Sequence, residues 1–342
     1  MSNLESRPPE LTCASGPAGG GSAGGGSAER VVEVLAPREV PLGGPRAMRV
    51  RRTLPQRERS LIGAWCFVDH YGPDEVGESG GMSVAPHPHT GLQTVSWLFA
   101  GEIEHRDSAG HHARVRPGEV NLMTAGRGIS HSEVSTPDTT RLHGAQLWVA
   151  LPAEARDTDP GFAHHAPSTV RGEGWSARVF LGSLLGESSP VPTYTPLLGA
   201  EIRLDAGARL EPAVDPSFEH GVLVDRGVLD VDGQEVKEHD LGYLAPGRDR
   251  LSLAAAAAPV RLLLLGGTPL GESIVMWWNF VARSHEEVVA FREAWQAQIT
   301  RDAAVVADGQ QVAAGRFGVV AGEHLPPIPA PPLPNARLKE RR

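Results

Sequence analysis

Apolar residues in this chain come mostly in short runs broken by polar and turn residues. GLQTVSWLFAGEIEH, ARVRPGEVNLMTAG and RLHGAQLWVAL are each of strand length and rich in β-formers, the pattern of strands in an antiparallel sheet. A second set begins after Pro196, with LLGAEIRLDAGARLEP, HGVLVDRGVLDVDG, HDLGYLAPG and PVRLLLLGG. It repeats the order of the first in hydrophobicity and glycine placement rather than in identity, which predicts two related β-domains. One helical segment stands apart: Ser284 and Glu287 have capping-box spacing, and Val288, Phe291, Trp295 and Ile299 recur at helical spacing. They predict one amphipathic helix packed across the two domains.

The ends differ in kind. Residues 14–28 are almost pure Gly, Ala and Ser, too poor in apolar surface to offset the entropy of ordering, so 1–30 is expected to be a disordered tail. From Leu325 the chain is proline-rich and then basic, and 306–342 is expected to be an extended, inert tail. Between them the expected domains are 31–165 and 166–305. A length of 342 residues with 40% hydrophobic content is enough for two modest cores, and 40 glycines with 29 prolines favour an all-β protein.

Charge and cysteine usage narrow the function classes. With 41 acidic against 32 basic residues the formal charge is -9, and no long basic stripe interrupts it, which disfavours direct nucleic-acid binding. Cys13 and Cys66 are the only cysteines, so no disulfide framework is indicated and a reducing cytoplasm is the simplest compartment. The N-terminus has no basic-then-apolar leader pattern, and no apolar stretch is long enough to cross a membrane.

The chemistry concentrates in two short motifs. APHPHTG places His87 and His89 two apart, and TAGRGISHSE does the same for His131 and Glu133. In an extended strand residues i and i+2 share a face, so each pair can chelate. Pro88 between the first two suits an edge or irregular position. On facing strands the pairs make a three-imidazole, one-carboxylate set suited to iron(II), and also to Mn, Ni, Cu or Zn.

HPHTGLQTV followed by PGEVNLMTAGRGISHSE closely resembles the paired signature of the pirin family, within the cupin superfamily. VRRTLP, FVDHYGP, LHGAQLWVALP and WWNFVARSHEEV extend the resemblance over roughly residues 45 to 300. It implies a bicupin of two β-barrels with one divalent metal, iron(II) foremost, held in the N-terminal barrel by His87, His89, His131 and Glu133. Many cupins carry a glutamate shortly after HxH, and Gln93 is the corresponding position in this reading. Glutamine cannot act as a base at neutral pH, which leaves Glu133 as ligand or catalytic base.

The second half has no HxH or HxE pair within its strands, only the isolated His220 and His239, so that barrel is expected to hold no metal and to frame the entrance to the first. His105, His111, His112, His164 and His165 are read as solvated or as outer neighbours of the metal. His143 is a lesser candidate for orienting a ligand, Asp69 and His70 are read as structural because neighbours on a strand face opposite ways, and the tryptophans as core. Two functions follow from the resemblance: a metal-dependent dioxygenase acting on a flavonol-like aromatic such as quercetin, or a non-catalytic regulator whose metal oxidation state sets its affinity for a protein partner. A purely structural ion ranks last, because no cysteine is available to close such a site.

Overall fold

The computed structural model describes residues 31–42, 48–78, 80–307 and 315–341. Cys13 and the glycine-rich stretch 14–28 lie outside them. The first barrel is built from a seven-stranded sheet, in the order 161–165, 120–124, 92–100, 141–150, 65–75, 48–54 and 38–42, and a four-stranded sheet in the order 83–89, 129–135, 103–107 and 112–115. The second repeats the plan, with a seven-stranded sheet, 33–35, 241–244, 219–226, 260–267, 197–204, 175–181 and 170–172, and a four-stranded one, 209–210, 253–255, 229–231 and 234–236. All these pairings are antiparallel. One strand crosses over: Glu33–Leu35, at the N-terminal end of the described chain, pairs with Leu241–Leu244 in the second barrel.

Period-two alternation decides which way each strand faces. In Leu92–Ala100, Val95 and Trp97 join a core shared with Phe180, Leu223, Leu263 and Leu265 of the second barrel, whereas Leu92 and Leu98 pack with other residues of the first. The two large sheets therefore lie back to back, and the first barrel's other face is its interior. Burying side chains of this size is worth roughly 1.5 to 3 kcal/mol each, so the shared core holds the domains in one arrangement. Inside the first barrel a bidentate pair, Arg52 Nε to Asp69 Oδ1 at 2.7 Å and Nη2 to Oδ2 at 2.8 Å, keeps two buried charges compensated.

After the second barrel the chain returns to the first. The hairpin of Val275–Trp277 and Phe280–Ala282 brings Ile274 and Val281 into a core with Leu61, Cys66 and Trp148. The helix His285–Ala307 follows, and Ser284 Oγ accepts from Glu287 N at 3.2 Å. Its partner carboxylate is used differently from a reciprocal capping box: Glu287 accepts from Arg283 N and clamps Arg156 bidentately. Val288, Phe291, Trp295 and Ile299 share one core, as their spacing predicts, and that core packs on the hairpin.

The proline-rich end corrects the expectation of an inert tail. Residues 325–341 are extended but bound: Trp295 Nε1 donates to Ile328 O at 2.8 Å, Ile328 N donates to Pro86 O at 2.8 Å, and the backbones of Arg341 and Ile274 exchange two hydrogen bonds. Ala330 and Leu338 are buried with Trp295 and Phe317. Proline lowers the entropy cost of an extended segment, so few contacts suffice to hold it.

His220 marks a weak point in the second barrel. It has no exposed surface, and neither ring nitrogen has a hydrogen-bond partner. Burial, with the Arg248 guanidinium adding to it, pushes its pKa down to about 4. The unfolded ring takes its proton near pH ~6.5, so this residue's contribution to stability is intact above that pH and is lost as pH falls toward 4. The His220→Leu variant should therefore lose less melting temperature than the parent between pH 7 and pH 5. Equal losses in the two proteins would contradict this.

Candidate metal centre

The strand Ser83–His89 pairs antiparallel with Ile129–Ser135, with His87 opposite His131 and His89 opposite Ile129. Two-residue spacing on one strand and register across to the next turn three imidazoles into the barrel. His87 to His131 is 4.3 Å between ring centroids, and the other two pairs are 5.0 Å. All three residues are fully buried. Pro88 is tolerated because Ser83–His89 is the outer strand of its sheet. The turn into the second motif needs glycine: Gly126 has φ +51°, and a Cβ there would lie 2.0 Å from the Thr158 carbonyl oxygen.

Hydrogen bonds set the tautomers. His87 Nδ1 lies 2.9 Å from Ala85 O, and His89 Nδ1 3.1 Å from Asn279 O. A carbonyl oxygen only accepts, so in both rings Nδ1 carries the proton and Nε2 keeps its lone pair. His87 Nε2 is buried without a partner, and His89 Nε2 lies 3.1 Å from His131 Nε2. Burial pushes the His87 pKa down to about 4; burial, and then the neighbouring imidazoles, hold His89 and His131 well below the usual range. Neutral, buried imidazoles with converging lone pairs are the donor set a divalent cation requires. The residues present therefore fit a metal ion.

Glu133 is placed differently from the other three. The register shifts between His131 and Glu133, and the carboxylate groups with His131 and His105 rather than with His87 and His89. Ser96 Oγ donates its one proton to Gln146 Oε1 at 2.9 Å and lies 3.4 Å from Glu133 Oε1. His105 and Asp107 complete this side, with His105 Nδ1 3.3 Å from His131 Nδ1. From sequence His105 is read only among the solvated or outer histidines and Asp107 is missed, although EHRD shows the same two-residue spacing as the ligand pairs.

Other candidates fall elsewhere. Gln93 shares the face of Val95 and Trp97, away from the imidazoles, and its Nε2 donates to Thr124 Oγ1 at 2.9 Å. Gln93 thus takes no part in the site, and Thr94 and Ser96 alternate toward the barrel interior instead. His143 and His70 lie at the domain interface. The two imidazoles approach Asp225 Oδ1 at 2.6 and 2.7 Å, Arg261 Nε donates to Asp225 Oδ2 at 2.5 Å, and Arg261 Nη2 lies 3.2 Å from His143 Nδ1. A guanidinium only donates, so His143 Nδ1 accepts and its Nε2 carries the proton. This cluster is a compensated carboxylate joining the domains. Burial raises the Asp225 pKa, but the imidazole hydrogen bonds outweigh it and hold the group below the ordinary carboxylate range. His111 bonds Asp107, His112 bonds Glu104, and His164 bonds Asn121. A cavity of about 430 Å³ touches Pro86 and Ser130, residues that alternate to the outer side of the ligand strands, so it is not the space the imidazoles face.

Two stacked β-barrels, with three histidines converging inside one of them, define a bicupin with a candidate metal centre in its N-terminal domain. The chain belongs to the pirin family: residues 47–149 match the family's Pirin model and 199–300 its C-terminal cupin domain. It is 42% identical to a Pseudomonas aeruginosa protein named "Putative quercetin 2,3-dioxygenase", over 90% of this chain and 92% of that one. A crystal structure described as quercetin 2,3-dioxygenase from Acinetobacter baumannii superposes with TM-score 0.79 at 35% identity, covering 90% and 98%. The Escherichia coli pirin YhhW, solved in complex with nickel(II), shares the fold at TM-score 0.55 and 17% identity, over 70% and 100%. Among the described residues no helix is long and apolar enough to cross a membrane.

A bound ion should stabilise the fold by mass action. At a hundredfold excess over its dissociation constant the gain is about 2.7 kcal/mol, visible as a rise in melting temperature that a chelator reverses. His87→Ala should abolish both the bound metal and the chelator-sensitive rise; a variant that keeps a full equivalent of metal would remove His87 from the site.

Proposed function

We propose that this chain is a metal-dependent dioxygenase of the cytoplasm that holds one divalent ion, iron(II) foremost, on His87, His89, His131 and Glu133, and acts on a flavonol-like aromatic such as quercetin. The observation that carries the reading is the combination, on the inner face of one barrel, of neutral imidazoles and unused donors. Gln146 Nε2 and Trp148 Nε1 are buried without partners, and an unpaired buried N–H costs about 1 to 3 kcal/mol unless a ligand satisfies it. The three-nitrogen, one-oxygen set also accepts Mn, Ni, Cu or Zn.

When bound, the ion supplies Lewis acidity and open coordination positions. The protein's own part is to orient and to exclude water. Trp148 stacks on Phe67 at 4.0 Å and 12° and meets the His89 ring at 5.2 Å and 79°, so its indole walls one side of the imidazoles. Trp148 Nε1 and Gln146 Nε2 donate to substrate oxygens. Glu133, with Oε1 3.4 Å from Ser96 Oγ, accepts the proton of a substrate hydroxyl. Two relatives named as quercetin dioxygenases support the substrate class, and the nickel-bound relative supports a divalent ion. The chain's acidity supports a small molecule or a protein, rather than nucleic acid, as its partner.

Oxygen uptake on quercetin, measured with metal content in the same samples, tests this. Uptake should follow the metal and vanish with it in His89→Ala. Glu133→Gln should lower kcat by about a hundredfold or more, and Trp148→Phe should weaken turnover by about tenfold or less while keeping the metal. Metal-replete protein without uptake would contradict the dioxygenase reading and favour a regulator, whose affinity for a protein partner differs between ferrous and ferric forms.

A further inference from the structure

His87 and His89 are oriented by main-chain carbonyls, which no substitution removes. His131 differs: its Nδ1 faces the side chain of His105, 3.3 Å away. Behind His105 stands Asp107, whose Oδ2 lies 3.3 Å from His105 Nε2. Its Oδ1 accepts from Ala109 N at 2.9 Å and His111 N at 3.0 Å, and His111 Nδ1 lies 3.0 Å from Oδ2. Burial favours the neutral acid, yet the hydrogen bonds from His105 and His111 outweigh it and hold the Asp107 pKa below its usual value. Phe162 packs against both imidazoles, with centroids 4.9 Å from His105 and 5.4 Å from His111.

We propose that Asp107 and His105 form a relay that fixes the tautomer of His131 and so positions its Nε2 lone pair for the metal. An ionised carboxylate only accepts, so the proton of His105 is on Nε2, which leaves His105 Nδ1 as an acceptor. The acceptor requires the proton of His131 on Nδ1, and His131 Nε2 is then free to face His89 Nε2. With the opposite tautomer, His131 would present an N–H to the ion and cease to be a ligand. His105 and Asp107 are positioning residues, acting on the metal through His131. The inference rests on the metal-binding reading above, and deepens it.

Asp107→Asn is the discriminating substitution because it preserves shape. The amide oxygen can keep the Ala109 and His111 backbone donors, which places the amide N–H₂ against His105 Nε2. That reverses every proton in the relay, the outcome known to disable an oriented imidazole. In the full chain loaded with cobalt(II), proton NMR should show three exchangeable hyperfine-shifted imidazole N–H signals, from His87, His89 and His131. Asp107→Asn should lose one of the three and bind cobalt about 10 to 100 times more weakly in competition with a chelator, with its melting temperature in the metal-free state unchanged. His105→Phe should behave likewise. His105→Gln, whose amide oxygen can still accept from His131 Nδ1, should keep three signals and restore most of the affinity. Three signals and parental affinity in Asp107→Asn would overturn the relay while leaving the metal site intact. Parental protein that binds no cobalt would overturn the metal reading itself, and the relay with it.

Discussion

Three imidazole lone pairs converging in a buried interior are the constraint on which the rest of this structure depends. His87 Nε2 is buried without a partner, and His89 Nε2 and His131 Nε2 face each other across 3.1 Å. Without a cation three buried acceptors facing one another are unfavourable, since none of them has a donor. It persists because each ring is held from behind: His87 by Ala85 O, His89 by Asn279 O and His131 by His105. The arrangement is strained in the free protein, and a bound cation would relieve it.

The second barrel and the C-terminal elements make that strain sustainable. Back-to-back packing of the two large sheets stiffens the first barrel, and Trp97 Nε1 donates to Glu201 Oε2 at 2.9 Å across the interface. The compensated cluster of Asp225, Arg261, His70 and His143 adds a second fixed contact between the domains. Residues after the second barrel reach the centre directly, for the Asn279 carbonyl that orients His89 comes from the returning hairpin. The helix and the proline-rich strap then cover the outer side of the ligand strands through Trp295, Phe317 and Ile328. A segment that follows the second barrel thus contributes an orienting group to a site in the first.

Much of this was legible in sequence because it is periodic. Strand alternation, the HxH pair, the helical stripe from Val288 to Ile299 and the order of the two β-domains are local patterns, and each is found in the structure, whereas a register shift inside HxE sets Glu133 apart from the other three. What was not legible depends on contacts between distant segments. Gln93 was assigned by its distance from HxH, yet the strand's phase turns it to the domain interface. Asp225, 155 residues from His70, has no local feature that foretells its role. The proline-rich end looks inert by composition, and only its fit to Trp295 and Pro86 shows that it is bound. His105 and Asp107 carried a usable signal in their two-residue spacing, but their meaning comes from lying next to His131 across the sheet.

Anomalous diffraction from crystals of the protein loaded with iron(II), recorded on both sides of the iron absorption edge, tests the central claim most directly. The account predicts one strong peak per chain in the N-terminal barrel, within bonding distance of the Nε2 atoms of His87, His89 and His131, and no peak in the second barrel. Absence of a peak there, or a peak at His70, His143 and Asp225 instead, would contradict it.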